Sequence, residues 1–101
     1  MQAEGSGAVF VIANPQAGGG RGSRHASVLA HQLQAVGVSC RLVQPVSAAD
    51  TVTATQAAVA AGARAVVACG GDGTVHAVVQ GLAHASVPMA ILAGGSGDDI
   101  A

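Results

Sequence analysis

Residues Gly70-Gly71-Asp72-Gly73-Thr74 combine two features that let a backbone hold an anion. Glycines permit close approach of a ligand and backbone angles with φ > 0. The segment after them carries Val75, Val78, Val79 and Leu82 at i, i+3, i+4 and i+7, the spacing of an amphipathic helix. A helix start presents unpaired N–H groups and the positive end of the helix dipole, which together favour a phosphate. Upstream, the apolar run Ala65-Val66-Val67-Ala68-Cys69 has the pattern of a buried strand. Strand, glycine turn and helix thus suit a nucleotide's phosphates. A tight turn without a ligand is the plainer reading of the same residues.

Other chemistries find less support. The chain has no lysine, so the Walker phosphate loop with its Gly-Lys pair is excluded. Gly18, Gly20 and Ser23 come nearest to a Gly-x-Gly-x-x-Gly fingerprint and fail at its third glycine. Gly95-Ser96-Gly97 suggests a nucleophile, yet no Gly-x-Ser-x-Gly elbow is present and no histidine or acid follows in the required order. His25, His31, His76 and His84 lack a metal-ligand spacing, and the first two suit a solvated helix face. Arg21 and Arg24 have the bidentate geometry that suits phosphate, in a stretch that serves equally as plain exposed loop.

Half of the 101 residues are apolar, but these are mostly Ala and Val with Phe10 as the single aromatic. Small side chains bury little area each, at about 25 cal/mol per Å², so the core is thin and a partner domain or a second copy would help cover it. The length fits one domain. A net charge of −1 offers no basic footprint for nucleic acid. Cys40 and Cys69 sit in apolar contexts and read as buried thiols rather than a disulfide. The N-terminal residues lack the pattern of a signal peptide. No apolar run reaches the ~20 residues of a membrane span. The expected location is cytoplasmic, or peripheral at a membrane surface.

These residues must be positioned by alternating strands and helices. Ala8 to Ala13 predicts a first strand, leading into the loop from Asn14 to Gly22. Ser23 to Val36 predicts a helix with Leu29, Leu33 and Val36 on one face and Gly37 just past its end. Val38 to Val43 predicts a second strand. Ser47-Ala48-Ala49-Asp50 resembles a capping box, opening a second helix buried through Val52, Thr55 and Val59 and stopped near Gly62. Ala65 to Cys69, Asp72 to Ala83 and Val87 to Leu92 complete the third strand, third helix and fourth strand. The fold class expected is α/β: a three-layer, Rossmann-like parallel sheet with helices on both faces. Glycine-rich loops follow the first, third and fourth strands, and ligands of such sheets bind beyond the carboxyl ends of the strands. Residues 1–7 read as a disordered tail, and 8–101 as the domain.

Gly70-Gly71-Asp72-Gly73-Thr74 closely resembles the signature of the diacylglycerol kinase catalytic domain family, which includes sphingosine kinases and bacterial lipid kinases. Asn14-Pro15-Gln16-Ala17-Gly18 is similar to that family's Asn-Pro-x-Ser-Gly loop. Gly95-Ser96-Gly97-Asp98-Asp99-Ile100-Ala101 is similar to its Gly-Thr-Gly-Asn-Asp-Phe-Ala element. The resemblance implies transfer of the γ-phosphate of ATP, with Mg2+, to a lipid hydroxyl of diacylglycerol-like or sphingoid type. By position, it implies that Asn14, Pro15, Gln16, Ala17 and Gly18 form one wall of the nucleotide site. It places Gly70, Gly71, Asp72, Gly73, Thr74, Val75 and His76 around the phosphates and ribose, with Ser96 as a further contact. Asp72 either orders the turn or helps position a metal or substrate group, or else it caps the helix.

The chain departs from the family pattern at Ala77, where an acidic residue is frequent, at Ala93, where proline is usual, and at Ser96, Asp98 and Ile100. Gln44 is the nearest counterpart of a nucleotide-contacting threonine that the family carries after its second strand. Asp98 beside Asp99 places negative charge near a triphosphate, which weakens binding unless a cation intervenes. In the family, the general base and metal-contacting residues belong to a following β-rich domain, so this chain alone is expected to lack lipid kinase activity. The alternatives are a NAD kinase-like domain, whose family shares a Gly-Gly-Asp-Gly turn, and a non-catalytic nucleotide-binding or interaction module.

Overall fold

The computed structural model describes residues 7–15 and 21–93. Four strands and three helices alternate: β1 (Val9–Ala13), α1 (Arg21–Ala35), β2 (Cys40–Val43), α2 (Ala48–Ala60), β3 (Ala65–Gly70), α3 (Asp72–Gly81) and β4 (Met89–Ala93). The strands form one parallel sheet in the order β2-β1-β3-β4. This is the expected α/β architecture.

Side chains alternate across the two central strands and divide the core in two. Phe10 and Ile12 of β1, with Val66 and Ala68 of β3, pack with Ala58 of α2 and Val78 of α3. The intervening residues Val11, Ala13 and Cys69 pack with Ala26 of α1, flanked by Leu29 and Leu33. Helix α1 therefore covers one face of the sheet, and α2 and α3 cover the other. Strands β1 and β3 are buried on both sides, as continuous apolar strands of parallel sheets are. The edge strand β2 is half-buried or exposed along its length.

Several boundaries and faces differ from expectation for local reasons. Helix α1 begins at Arg21 rather than Ser23 and ends at Ala35, leaving Val36 75% exposed instead of packed beside Leu33. Gly37 follows it with φ +84°, the left-handed stop that glycine provides. Strand β2 starts at Cys40, two residues later than expected, and β4 runs from Met89 to Ala93.

Helix α2 begins as the sequence indicates, with the Ser47 hydroxyl accepting from the Asp50 N–H at 3.0 Å. Its buried residues are Thr51, Thr55 and Ala58, however, rather than Val52, Thr55 and Val59. Each buried threonine hydroxyl donates to a carbonyl one turn back, Thr51 to Ser47 and Thr55 to Thr51, both at 2.8 Å. This satisfies the hydroxyls, so small polar residues serve as core. Helix α3 likewise buries Thr74, Ala77, Val78 and Gly81, and Val79 is about half exposed. The reason is close approach of the two helices: a Cβ on Gly81 would lie 2.4 Å from the Cβ of Thr55 and 2.9 Å from the carbonyl oxygen of Val52. Small residues set this interface, while Val78 fills the core beside it and Val79 turns outward.

At the other end of the sheet, the Gly7 N–H donates to the Gly62 carbonyl at 2.8 Å, tying one residue of the expected tail to the domain. Both cysteines are free; Cys69 is buried and Cys40 is half-buried.

Candidate functional site

All four strands run the same way, so β1, β2 and β3 deliver Asn14, Gln44 and Gly71 to one edge of the sheet, the edge at which β4 ends with Ala93. Chain order places the first crossover to one side of β1 and the next to the other. The reversal therefore falls between β1 and β3, where a crevice opens in sheets of this kind. Register brings Ala13 opposite Cys69, so Asn14 leaves the sheet beside Gly70, the last residue of β3.

Gly70 bends the chain out of β3 with φ +142°, a conformation that L side chains rarely adopt. Gly71 is the N-cap of α3, with extended angles of φ −92° and ψ −165° and no side chain to cap the helix. The first bond of the helix runs from the Val75 N–H to the Gly71 carbonyl at 3.1 Å. The amides of Asp72, Gly73 and Thr74 therefore precede the helical hydrogen-bond ladder. A Cβ built on Gly71 or on Gly73 would meet no atom within 4 Å. The helix start thus offers backbone donors with open space beside its glycines.

The side chains around this turn have distinct places. Asp72 is exposed in the first helical turn and makes no hydrogen bond among the described residues. The N-cap is Gly71 and no side chain makes a cap hydrogen bond, so Asp72 supports the helix through its charge in the first turn, which suits the helix dipole. Thr74 is buried beneath Gly70, and Val75 packs against the core on the α2/α3 side. Its N–H closes the first helical bond to Gly71, so Val75 helps to fix the turn rather than donating from it. His76 is exposed on α3. Burial pushes the Cys69 thiol, one residue before the turn, up to about 11.

Asn14 and Pro15 are half-buried at the exit of β1. Gln16, Ala17, Gly18 and Ser96 lie outside the described residues, as does the whole of the Gly95 to Ala101 element. The first turn of α1, which carries Arg21 and Arg24, also reaches this edge. A Cβ on Gly22 would stand 3.0 Å from both the Cys69 carbonyl oxygen and the Cα of Gly70. Ser23 accepts a hydrogen bond from the side-chain amide of Gln44. Gly22 reads in sequence as one glycine of a loop, and only its packing against β3 sets it apart. Among the described residues, no group of three histidine, cysteine, aspartate or glutamate side chains could hold a metal ion.

A parallel α/β sheet whose glycine turn feeds an uncapped helix, beside the reversal of strand order, defines the Rossmann-like class. Within that class, the model of the diacylglycerol kinase catalytic domain matches residues 8–101. The chain belongs to that family and carries a catalytic domain of lipid-kinase type. No curated protein matches it. Among the described residues, no helix is long and apolar enough to cross a membrane.

Proposed function

We propose that this chain is the ATP-binding portion of a kinase that phosphorylates a lipid hydroxyl. In this reading Gly70, Gly71, Asp72, Gly73, Thr74, Val75 and His76 line the phosphate side, with the amides of Asp72, Gly73 and Thr74 as the free backbone donors. Asn14, Pro15, Gln16, Ala17 and Gly18 form the facing wall, and Ser96 adds a contact. The observation that carries the reading is the start of α3. It has no side-chain cap, and its two glycines border open space. An anion fits there by hydrogen bonds and by the helix dipole.

The donor set also fits a magnesium ion brought in on the nucleotide. Mg2+ is commonly held by one or two carboxylates together with substrate phosphates and waters. Asp72 is the carboxylate beside the turn; Asp50, the other one among the described residues, stands in the first turn of α2. When bound, the ion would neutralise charge on the transferred phosphoryl group. The chain's own part is to bind and orient the phosphates. Positioning alone does not complete the transfer, which also needs a residue to accept the hydroxyl proton. In this reading the proton-accepting residue and the choice of acceptor belong to a β-rich partner domain. A lipid acceptor suits a site of action in the cytoplasm or peripheral at a membrane surface.

Thermal unfolding with ATP and MgCl2, ADP, or NAD tests this. A ligand that binds only the folded state stabilises it by about 2.7 kcal/mol at a hundredfold excess over Kd. Stabilisation by ATP and ADP above that by NAD is the expected result. Preference for NAD would favour the NAD kinase-like alternative, and no shift with any nucleotide would leave an interaction module.

A further inference from the structure

The turn Gly70–Thr74 is braced from the side by the first turn of α1, and that turn is tethered in its own right. On one side, Gly22 sits so close to Cys69 and Gly70 that a single methyl would come within 3.0 Å of their backbones. On the other, the Gln44 amide donates to the Ser23 hydroxyl, joining the exit of β2 to α1. Gln44 and Ser23 are 21 residues apart in the chain and belong to no common element. From these two contacts we infer that Gln44 is a positioning residue: through Ser23 and Gly22 it holds α1 against the phosphate turn and fixes the orientation of its amides. This rests on the nucleotide reading given above, but not on Gln44 touching the nucleotide.

The chemistry separates this from a general structural role. Gln44 is exposed and contributes nothing to either core cluster, so its truncation leaves the bulk of the fold intact. Ser23 offers only a hydroxyl acceptor, which threonine also supplies. Gly22 has no such latitude, because its neighbours are backbone atoms that cannot rotate away.

The test compares wild type with Gln44→Ala, Ser23→Ala, the double variant and Ser23→Thr. It uses titration calorimetry with ATP and MgCl2, thermal unfolding, and amide chemical shifts of Gly70, Gly71 and Gly73 without nucleotide. Each alanine variant should weaken ATP binding roughly fivefold, about the worth of one hydrogen bond. The double variant should be no weaker than either single one, Ser23→Thr should bind as wild type, and Tm should hold. The three glycine amides should shift in both alanine variants. Ser23→Ala behaving as wild type while Gln44→Ala loses affinity would overturn the inference in favour of direct contact with nucleotide. Unmoved glycine shifts would overturn it even if ATP binds normally. A wild type that binds no nucleotide would remove the site reading, and the shifts alone would then decide whether the brace exists.

Discussion

Gly70 and Thr74 are in contact across the bend from strand to helix: a methyl on Gly70 would stand 3.0 Å from the Thr74 Oγ1 and 3.3 Å from its Cβ. The φ of +142° at Gly70 adds backbone strain for any other residue. Both effects act on the same corner, so Gly70→Ala should cost about 1–3 kcal/mol of folding stability. Urea unfolding of the variant measures it. A cost below about 0.5 kcal/mol would mean the corner is looser than the structure shows.

Gly73→Ala separates the ligand from the fold. Gly73 lies inside the first turn of α3 with no atom within 4 Å of its added methyl. Alanine is favoured over glycine in a helix by about 0.5–1 kcal/mol, so the variant should be as stable as wild type or more so. In the proposed nucleotide reading, the same methyl would stand where phosphate oxygens approach. Stabilisation by ATP should therefore fall sharply while Tm without nucleotide holds or rises. Retained ATP stabilisation would move the phosphates away from this turn.

A comparable glycine governs the packing of α2 on α3. Gly81→Ala would force its methyl against the Thr55 Cβ at 2.4 Å and the Val52 carbonyl at 2.9 Å, so the helices must separate. Overpacking of this kind costs about 1–3 kcal/mol. The double variant Gly81→Ala/Thr55→Ala should recover part of the loss, less the value of the Thr55 packing. No recovery would place the strain at Val52.

How much of this was legible depends on which residues carry the signal. The strand-to-helix corner at Gly70–Thr74 was readable because glycine, apolar run and helical spacing all point the same way. The parallel sheet followed from alternation, and the start of α2 from Ser47 and Asp50. The face of α2 was not readable from valine spacing, because Thr55 and Gly81 meet at a distance valines cannot reach; on α3 the spacing held for Val75, Val78 and Leu82 and failed at Val79. Threonine counts as polar in a sequence pattern, yet its back-bonded hydroxyl is already satisfied inside a helix. Likewise, nothing local marks Gln44 and Ser23 as partners, since that contact exists only once β2 and α1 are set side by side.

His84 offers a gain rather than a loss. It follows α3 with φ +67°, the only non-glycine residue with positive φ among those described. A left-handed residue after a helix is the place where glycine is usual. His84→Gly should stabilise the chain by about 0.5–1 kcal/mol, with nucleotide affinity unchanged at the far end of the helix. A fall in Tm would show that the imidazole makes a contact outweighing its backbone strain.

Alkaline pH should act through the thiols. The chain contains neither lysine nor tyrosine, so between about pH 9 and 11 its side-chain titration is confined to Cys40 and Cys69. Burial raises both, and takes Cys69 from its ordinary 9.0 to about 11. Within that window the unfolded chain has lost a proton that the folded chain keeps. Stability must then fall as pH rises. The contribution is complete below pH 9 and gone above pH 11, and Cys69 accounts for about 2–3 kcal/mol of it at 1.36 kcal/mol per unit. Urea unfolding at pH 8.5, 9.5 and 10.5 should show the decline in wild type and in Cys40→Ala. Cys69→Ala, though less stable throughout from the space it leaves, should show a much flatter profile. An equally steep decline in Cys69→Ala would mean that the strand beneath the phosphate turn already admits water.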